Sequence, residues 1–525
     1  MEPLPDWLMP LPDAETMRGV DRWAIERQGV SGLELMERAG AAVAAAAERI
    51  APDGAVTVLC GKGNNGGDGY VAARLLREAG HHVTVLSVAP LEELRGDAAA
   101  SLAALPGEPP LVLEQGQPLP GEPLASAAVV IDALLGTGFQ GEPHGTVATA
   151  IEAINALDDL DSARPALLSV DVPSGVDAST GEVAGVAVRA HTTVTFHAAK
   201  PGHWINPGKT LAGELQVAAI GIPRGAPMTA AVGLIEQRVL ELVPRRAAAS
   251  TKFISGHVLV AGGSTGLTGA PEMAGTAAMR AGAGYVTALV PACVEPVVAT
   301  AATPELMTRP LPDADGAMAE QAVDQALEAS ARGGSLALGP GLGRTEGAFA
   351  FARRLAHESQ LPLVLDADGL NAHATRLEEL AARVPPTVLT PHAGELGRLL
   401  GVESAEIERR RLHHVRDAAA RSRAIVLLKG DDTLIACPDG RVAVSPGGSA
   451  ALATAGTGDV LTGVLAALLA QSLEPFAAAA AAVLIHARAG RLAARRIGSS
   501  EGVIATDVIA ALPVARPGRK EDDDA

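Results

Sequence analysis

Short apolar runs recur along this chain, separated by stretches whose apolar residues return with helical spacing. In the first half the runs are AVTVLC, HVTVLSV, AVVIDALLGTG, ALLSVDVPSG, TTVTFHA and ELQVAAIGIP, which read as strands. Helices are expected over Asp13 to Gln28, Gly32 to Ile50, Gly66 to Glu78, Leu91 to Leu105 and Val147 to Leu157. Strands that are apolar on both faces and alternate with helices predict a sheet covered on both sides, hence a three-layer, Rossmann-like α/β domain. The alternation breaks in VLELVPRRAAASTKFIS, which places a boundary near Arg245 to Ala249. It resumes with HVLVAGG, a helix from Ala270 to Arg280, YVTALVP, SLALGPG, PLVLDADG, TVLTPHAGE, IVLLKGDDTLIA and RVAVSPGG. Two late helices, Asp459 to Gln471 and Pro475 to Arg495, complete a second, larger α/β domain. The expected division is therefore 1–240 and 250–515, and the differing motif order reads as fusion of two folds rather than duplication.

Composition sharpens this picture. A chain of 525 residues exceeds what one core usually organises, and 48% hydrophobic with 2% aromatic residues demands an interior of Ala, Val, Leu and Ile. The alanine tract Ala477 to Ala482 accordingly reads as a close-packed helix. Sixty acidic against 42 basic residues give a net charge of −18, which disfavours nucleic acid and anionic membranes as partners. Arg409 to Arg411, set among Glu406 and Glu408, reads as a solvated helix face. Cys60, Cys293 and Cys437 match no metal-binding spacing and are expected to be reduced and in or near the core. The opening MEPLPDWLMPLPDAE has no signal-peptide pattern, and Val460 to Leu473 is too short to cross a bilayer. A cytoplasmic protein is expected, with GRKEDDDA as a solvated tail; assembly with further copies is left open.

The polar motifs follow strand ends, where open α/β sheets bind ligands. GKGNNG, inside CGKGNNGGDGY, fits the glycine pattern of a dinucleotide loop. The next strand, HVTVLSVAP, lacks the terminal acid that would hold a ribose, so a redox coenzyme loses its support. Asn64, Asn65 and Asp68 among glycines instead combine backbone N–H groups with oxygen ligands. DALLGTGFQGE and DVPSGVD converge on the same end of the sheet, and oxygens of Asn65, Asp132 and Ser174 suit a hard cation. Asp132 has the alternative reading of a brace for the turn that follows it.

In the second half, AGTGDVLTG opens a long helix and offers N–H groups to phosphate, with Asp459 at its mouth as a base. It lacks the P-loop spacing. KGDDT, Lys429 to Thr433, supplies a cation, amides and a hydroxyl for nucleotide phosphates. DADGLN and TPHAGE add Asp366, Asp368, Asn371, His392 and Glu395. A single histidine among carboxylates favours magnesium carried in with a nucleotide over zinc, and makes His392 a substrate partner rather than a ligand.

MRGVDRWAIERQGVSGLELMERAG, GNNGGDGYVAAR, DALLGTG and DVPSGVDASTG together resemble the YjeF N-terminal family, epimerases of hydrated nicotinamide nucleotides. The resemblance implies that Asn64, Asn65, Gly66, Gly67 and Asp68, with Gly136, Thr137, Gly138, Phe139, Gln140, Gly141 and Glu142, line a site for NADHX or NADPHX. It implies that Asp171 contacts substrate, and it gives Asn65, Asp132 and Ser174 to a potassium ion. Asp171, at a strand end, is our choice for the group that moves the proton at C6. STKFISGHVLVAGGSTGLTGAPEMAGTAAMRAGAGYVT, LGPGLGR, VLDADGLN, LTPHAGE and AGTGDVLTG resemble the YjeF C-terminal family, ribokinase-like NAD(P)H-hydrate dehydratases that use ADP or ATP. That likeness implies contacts to the hydrate from Ala270, Gly341, His392 and Asp459. It implies nucleotide contacts from Lys429, Gly430, Asp431, Asp432, Thr433 and Gly458, with ADP and Mg²⁺ as co-substrate and ATP as the alternative. Asp459 would take the ring hydroxyl's proton during phosphorylation, before elimination of phosphate. The competing readings are a ribokinase-like small-molecule kinase with a nucleotide-binding regulatory module, and a nonenzymatic scaffold, which leaves the strand-end clusters without a shared ligand.

Overall fold

The computed structural model describes residues 2–116, 119–159 and 164–516; the expected solvated tail lies outside them. Two compact units emerge. One is Pro10–Val232; the other joins the segment up to Met9 to the chain from Gly233 onward. This differs from the expected change at Arg245 to Ala249. Leu8–Leu11 and Val232–Ile235 are adjacent strands at one edge of the second unit's sheet, and Glu236 N–H donates to the Trp7 carbonyl at 3.0 Å. Trp7 is buried and its ring lies 5.2 Å from that of Phe476.

In the first unit a parallel sheet, among the described residues, runs in the order Leu111–Val112, Val83–Ser87, Val56–Cys60, Val129–Ala133, Ala166–Val170, Thr192–Phe196 and Glu214–Ala218. Alternate residues of each strand serve opposite layers: Val56, Val58 and Cys60 join one core with helices Gly32–Ile50 and Asn64–Glu78. Leu59 and Val130 join the other with Ile151 and Ile154 of helix Gly145–Asn155. Chain order reverses between Val56–Cys60 and Val129–Ala133. The connections leaving these two strands turn to opposite faces, which opens a crevice beyond their C-terminal ends.

The second unit's sheet has the same device on a larger scale. Strand His257–Ala261 is flanked by Tyr285–Pro291 on one side and Ser335–Leu338 on the other, and the parallel series continues through Leu363–Leu365, Thr387–Leu389 and Ile425–Leu428. IVLLKGDDTLIA is not one strand. Ile425–Leu428 and Leu434–Ala436 pair antiparallel, with KGDD at the bend between them. Thr457–Ala470 and Gly269–Arg280 pack side by side on this sheet, and Pro475–Ile497 packs against the first of them. Pro475–Ile497 alone among the described helices is long and apolar enough to cross a membrane, yet most of it, the alanine tract included, is buried in this core. Cys60 and Cys437 are free and buried as expected, whereas Cys293 is exposed.

Candidate active sites

In the first unit the loops after Cys60, Ala133, Val170 and Phe196 enclose a cleft of about 760 Å³. Helix Asn64–Glu78 begins two residues earlier than its pattern suggested, with Gly63 at its N-cap and no side chain bonded to the first amides. Asn64, Asn65 and Asp68 therefore occupy the open first turns and face the cleft. A methyl group at Gly66 would collide with the Gly61 carbonyl, and one at Gly136 would lie 2.8 Å from Asn65 Oδ1, so both glycines serve close approach. Gly136, Thr137, Gly138 and Phe139 also line the cleft. Gly66, Gly67, Gln140, Gly141 and Glu142 do not, and Gly67 faces Met36 and Ala98 instead.

Asp171 lies at the cleft floor with a left-handed φ of 67°. Its Oδ1 accepts from Lys200 Nζ at 2.6 Å and Thr195 Oγ1 at 3.0 Å; its Oδ2 accepts from Thr137 N at 3.1 Å and from Thr137 Oγ1. His203 Nε2 reaches the Asp171 carbonyl at 2.8 Å. Burial alone would raise this carboxyl, but the buried Lys200 ammonium and the hydroxyls outweigh it and hold it well below the usual carboxylate range. A carboxylate so engaged is a poor proton carrier at neutral pH, which weighs against the shuttle role expected from its position. Asp68 and Asp21, which line the same cleft, are shifted the other way: Asp68 by burial and then by Asp171 and Asp21, and Asp21 by burial against the opposing Lys200. Lys200 was not singled out from sequence. The strand-end rule, applied to TTVTFHA, points to the loop that carries it.

Asp132 is buried beneath this floor. Its carboxylate accepts from Ser169 Oγ at 2.8 Å, Ser174 N at 2.9 Å, Ser174 Oγ at 2.5 Å and, weakly, Leu134 N at 3.3 Å. Ser174 Oγ in turn accepts from Leu135 N at 2.8 Å. Asp132 thus braces the turn after its own strand. Asn65, in the first turn of helix Asn64–Glu78, has a buried Nδ2 with no partner among the described residues.

The second site gathers at the C-terminal ends of its strands. Lys429 Nζ donates to Asp366 Oδ1 at 3.0 Å and lies 3.6 Å from Glu395 Oε2; Thr462 Oγ1 donates to Asp366 Oδ2 at 2.7 Å. Ala367, at a φ of 50°, separates Asp366 from Asp368, whose carboxylate accepts from Gly343 N, Arg344 Nε and Asn371 Nδ2. Holding a residue with a side chain in that left-handed region costs energy that the surrounding bonds offset. Asp459 lies in the first turn of Thr457–Ala470, whose N-cap, Gly456, adds no side-chain bond. Burial first, then Asp366, Asp368 and Glu395 against the opposing Lys429, push its carboxyl up to about 7. Gly341 and Ala270 are neighbours: a Cβ on Gly341 would lie 3.0 Å from that of Ala270.

His392 caps helix Ala393–Leu400, its Nδ1 accepting from Gly394 N at 3.0 Å while Glu395 Oε2 accepts from His392 N at 2.9 Å. Nδ1 is committed as acceptor, so the neutral ring carries its proton on Nε2. Burial, with Glu395 opposing, lowers its affinity for a second proton. Within KGDDT the residues diverge. Asp431 accepts from Gly448 N at 3.0 Å, but Asp432 turns into the unit and pairs with Arg411 Nε at 2.9 Å, both side chains buried. Arg411 is therefore not part of a solvated face, although Arg409 and Arg410 are exposed.

A switch-point cleft on a Rossmann-like sheet, fused to a ribokinase-like domain with its own lysine and carboxylate cluster, defines an enzyme with two nucleotide-handling sites. Comparison bears on both. Residues 32–202 match the family model described as YjeF-related protein N-terminus, and residues 258–514 match NAD(P)H-hydrate dehydratase. The Bifunctional NAD(P)H-hydrate repair enzyme Nnr of Moorella thermoacetica is 40% identical over 98% of this chain and 98% of its own; that of Salinibacter ruber is 40% identical over 96% and 95%. A crystal structure of the ADP/ATP-dependent NAD(P)H-hydrate dehydratase from Bacillus subtilis is 31% identical, covers 53% of this chain and 95% of its own, and has a TM-score of 0.46. The chain belongs to the family of bifunctional NAD(P)H-hydrate repair enzymes.

Proposed function

We infer that the first unit interconverts the R and S forms of NADHX and NADPHX, and that the second dehydrates the S form with ADP, giving NAD(P)H, AMP and phosphate. The observation that carries the second half is the Asp459 carboxyl, poised near neutrality beside Lys429 at the mouth of a helix. Asp459 accepts the ring hydroxyl's proton as that oxygen attacks the terminal phosphoryl group of ADP, and AMP departs. Hydroxide is a poor leaving group and phosphate a good one. The ring nitrogen then expels phosphate from C6, a proton leaves C5, and the reduced ring returns. Lys429 and the open amides of helix Thr457–Ala470 balance charge on the phosphoryl oxygens. Asp366, anchored by Thr462, keeps Lys429 in place. His392 Nε2–H is available to the hydrate, and Gly341 and Ala270 shape its bed.

Asp366 and Asp368 already spend their oxygens on protein donors, so a magnesium ion would rest mainly on the nucleotide phosphates. It would neutralise charge on the transferring group.

At the first site Asp171 orients the hydrate, and the proton is carried by Asp68, whose carboxyl burial shifts upward. A potassium ion fits the donor chemistry here. With the Asn65 amide turned, its oxygen takes the place of the unpartnered nitrogen, and the Ser174 hydroxyl and the single Asp132 charge would add two further oxygen donors. Such an ion would hold the loops after Cys60, Ala133 and Val170 together. Epimerisation should rise with potassium to saturation when sodium keeps ionic strength fixed. Asp132→Ala should abolish that response, and Mg²⁺ should not restore it. A wild-type rate indifferent to potassium leaves Asp132 as the turn brace alone. The whole reading is tested by incubating the protein with mixed R and S NADHX, with ADP or ATP, and following each epimer chromatographically. Recovery of reduced-nicotinamide absorption from both epimers supports it; a stable phosphorylated product would mark a kinase.

A further inference from the structure

A second cavity, of about 410 Å³, lies within the unit that begins at Gly233. Four arginines line it: Arg245, Arg246, Arg280 and Arg516. Leu240, Val243, Met279 and Pro513 supply apolar wall. In a chain with net charge −18 this is a concentrated patch of the minority sign. Among the described residues, Arg246, Arg280 and Arg516 form no ion pair. Burial, and then Arg246 and Arg245, lower the Arg516 guanidinium from its ordinary range, the mark of like charges facing one another.

Backbone carbonyls hold the cluster together. Arg516 donates to Ala281 O at 2.7 Å and Pro244 O at 2.9 Å, and Arg246 donates to Gly282 O at 3.2 Å and Ala283 O at 2.8 Å. Ala281, Gly282 and Ala283 follow the C-terminal end of helix Gly269–Arg280, which favours a nearby cation. Capping explains Arg516 and Arg246. It does not explain Arg280, which adds charge without a hydrogen bond among the described residues, nor the cavity left between the guanidiniums. The cavity is separate from the dehydratase site. Ala270 opens the same helix, so the two ends stand about 18 Å apart.

We propose that this cavity is a binding site for a small organic phosphate, whose phosphate or diphosphate sits among the arginine forks while an apolar body lies against Met279 and Leu240. Guanidiniums recognise phosphate through paired N–H donors, and the cavity's volume falls in the range of small-ligand sites. Calorimetry on the full chain at fixed ionic strength tests it, with inorganic pyrophosphate, ADP and NADP⁺ as probes in the Lys429→Ala background, which weakens the nucleotide site. Pyrophosphate should still bind there, and Arg246→Gln with Arg280→Gln should weaken it by about tenfold or more. Of the binding that the double arginine variant loses, a component tighter for ADP or NADP⁺ than for pyrophosphate marks an organic ligand; an equal component marks free diphosphate as the occupant. Melting gives an independent reading. Without anion the double arginine variant should melt above its parent, because repulsion is relieved, and with pyrophosphate the order should reverse. Absence of binding to the parent, or a double variant that binds equally well, overturns the site.

Discussion

Asp459→Asn should abolish nucleotide-dependent recovery of NADH, with a loss on the order of 10² to 10⁴, while exchange between R and S hydrates continues at the parental rate. The two effects separate because the residues proposed for each reaction lie in different compact units. The side chain keeps its size, so the loss reports proton acceptance rather than shape. The pH profile supplies the sign. A base works when deprotonated, and this carboxyl is pushed up to about 7, so parental dehydration should rise with pH through neutrality and level off above it. The same shift acts on stability. Because the folded-state value is raised, the stabilising proton is present at low pH and lost as pH rises through about 7. Asp459→Asn should therefore gain stability over the parent above neutrality. Normal NADH formation in the variant, or a parental rate that falls as pH rises toward 7, would exclude Asp459 as the base.

Lys200→Met should cost the first unit about 3–5 kcal/mol, because it leaves the buried Asp171 carboxylate without its cation. Epimerisation should fall with it, and consumption of S hydrate should persist. The pH dependence identifies the cause. In the parent, Asp171 is depressed below its unfolded value, so its contribution is present above that value and fades only as pH falls. In the variant, burial acts on Asp171 with the lysine charge gone and only the Thr137 and Thr195 bonds against it, so the carboxyl moves up and folding loses stability as pH rises. The gap between parent and variant should widen from acid toward neutral pH in urea unfolding followed by a probe of the first unit. Asp171→Asn added to Lys200→Met should narrow it. A gap independent of pH would assign Lys200 to packing alone.

Much of this architecture is legible in sequence, for a physical reason. Strands covered on both faces must be continuously apolar, so Val56–Cys60, Val129–Ala133 and Ile425–Leu428 announce themselves, and ligand loops follow their ends. What escaped depends on partners distant in the chain. Nothing local marks Lys200 as buried; its burial is made possible by Asp171, 29 positions earlier. Arg411 resembles its solvated neighbours Arg409 and Arg410 until the fold brings Asp432 to it, and that pairing turns one residue of KGDDT into the unit. The edge strand Leu8–Leu11 hides in a proline-rich stretch whose apolar residues are too few to show a period. The start of helix Asn64–Glu78 is obscured because Asn and Gly are turn formers by propensity, and here they open a helix whose first amides carry no side-chain cap.

The pairing of Leu8–Leu11 with Val232–Ile235 alters how the two catalytic modules are joined. They are not beads on a string: the epimerase module is spliced into the dehydratase module, leaving from one edge strand and returning beside it. Synthesis delivers the outermost strand first and the sheet that receives it last, so the second module closes only after the first has been made in full. Severing the chain at Arg245 to Ala249 would not release two intact domains. It would strip the second of the two outermost strands at one edge of its sheet and of the Trp7 ring that packs on Phe476, and would bare the backbone of Val442–Val444 as an open template for other chains.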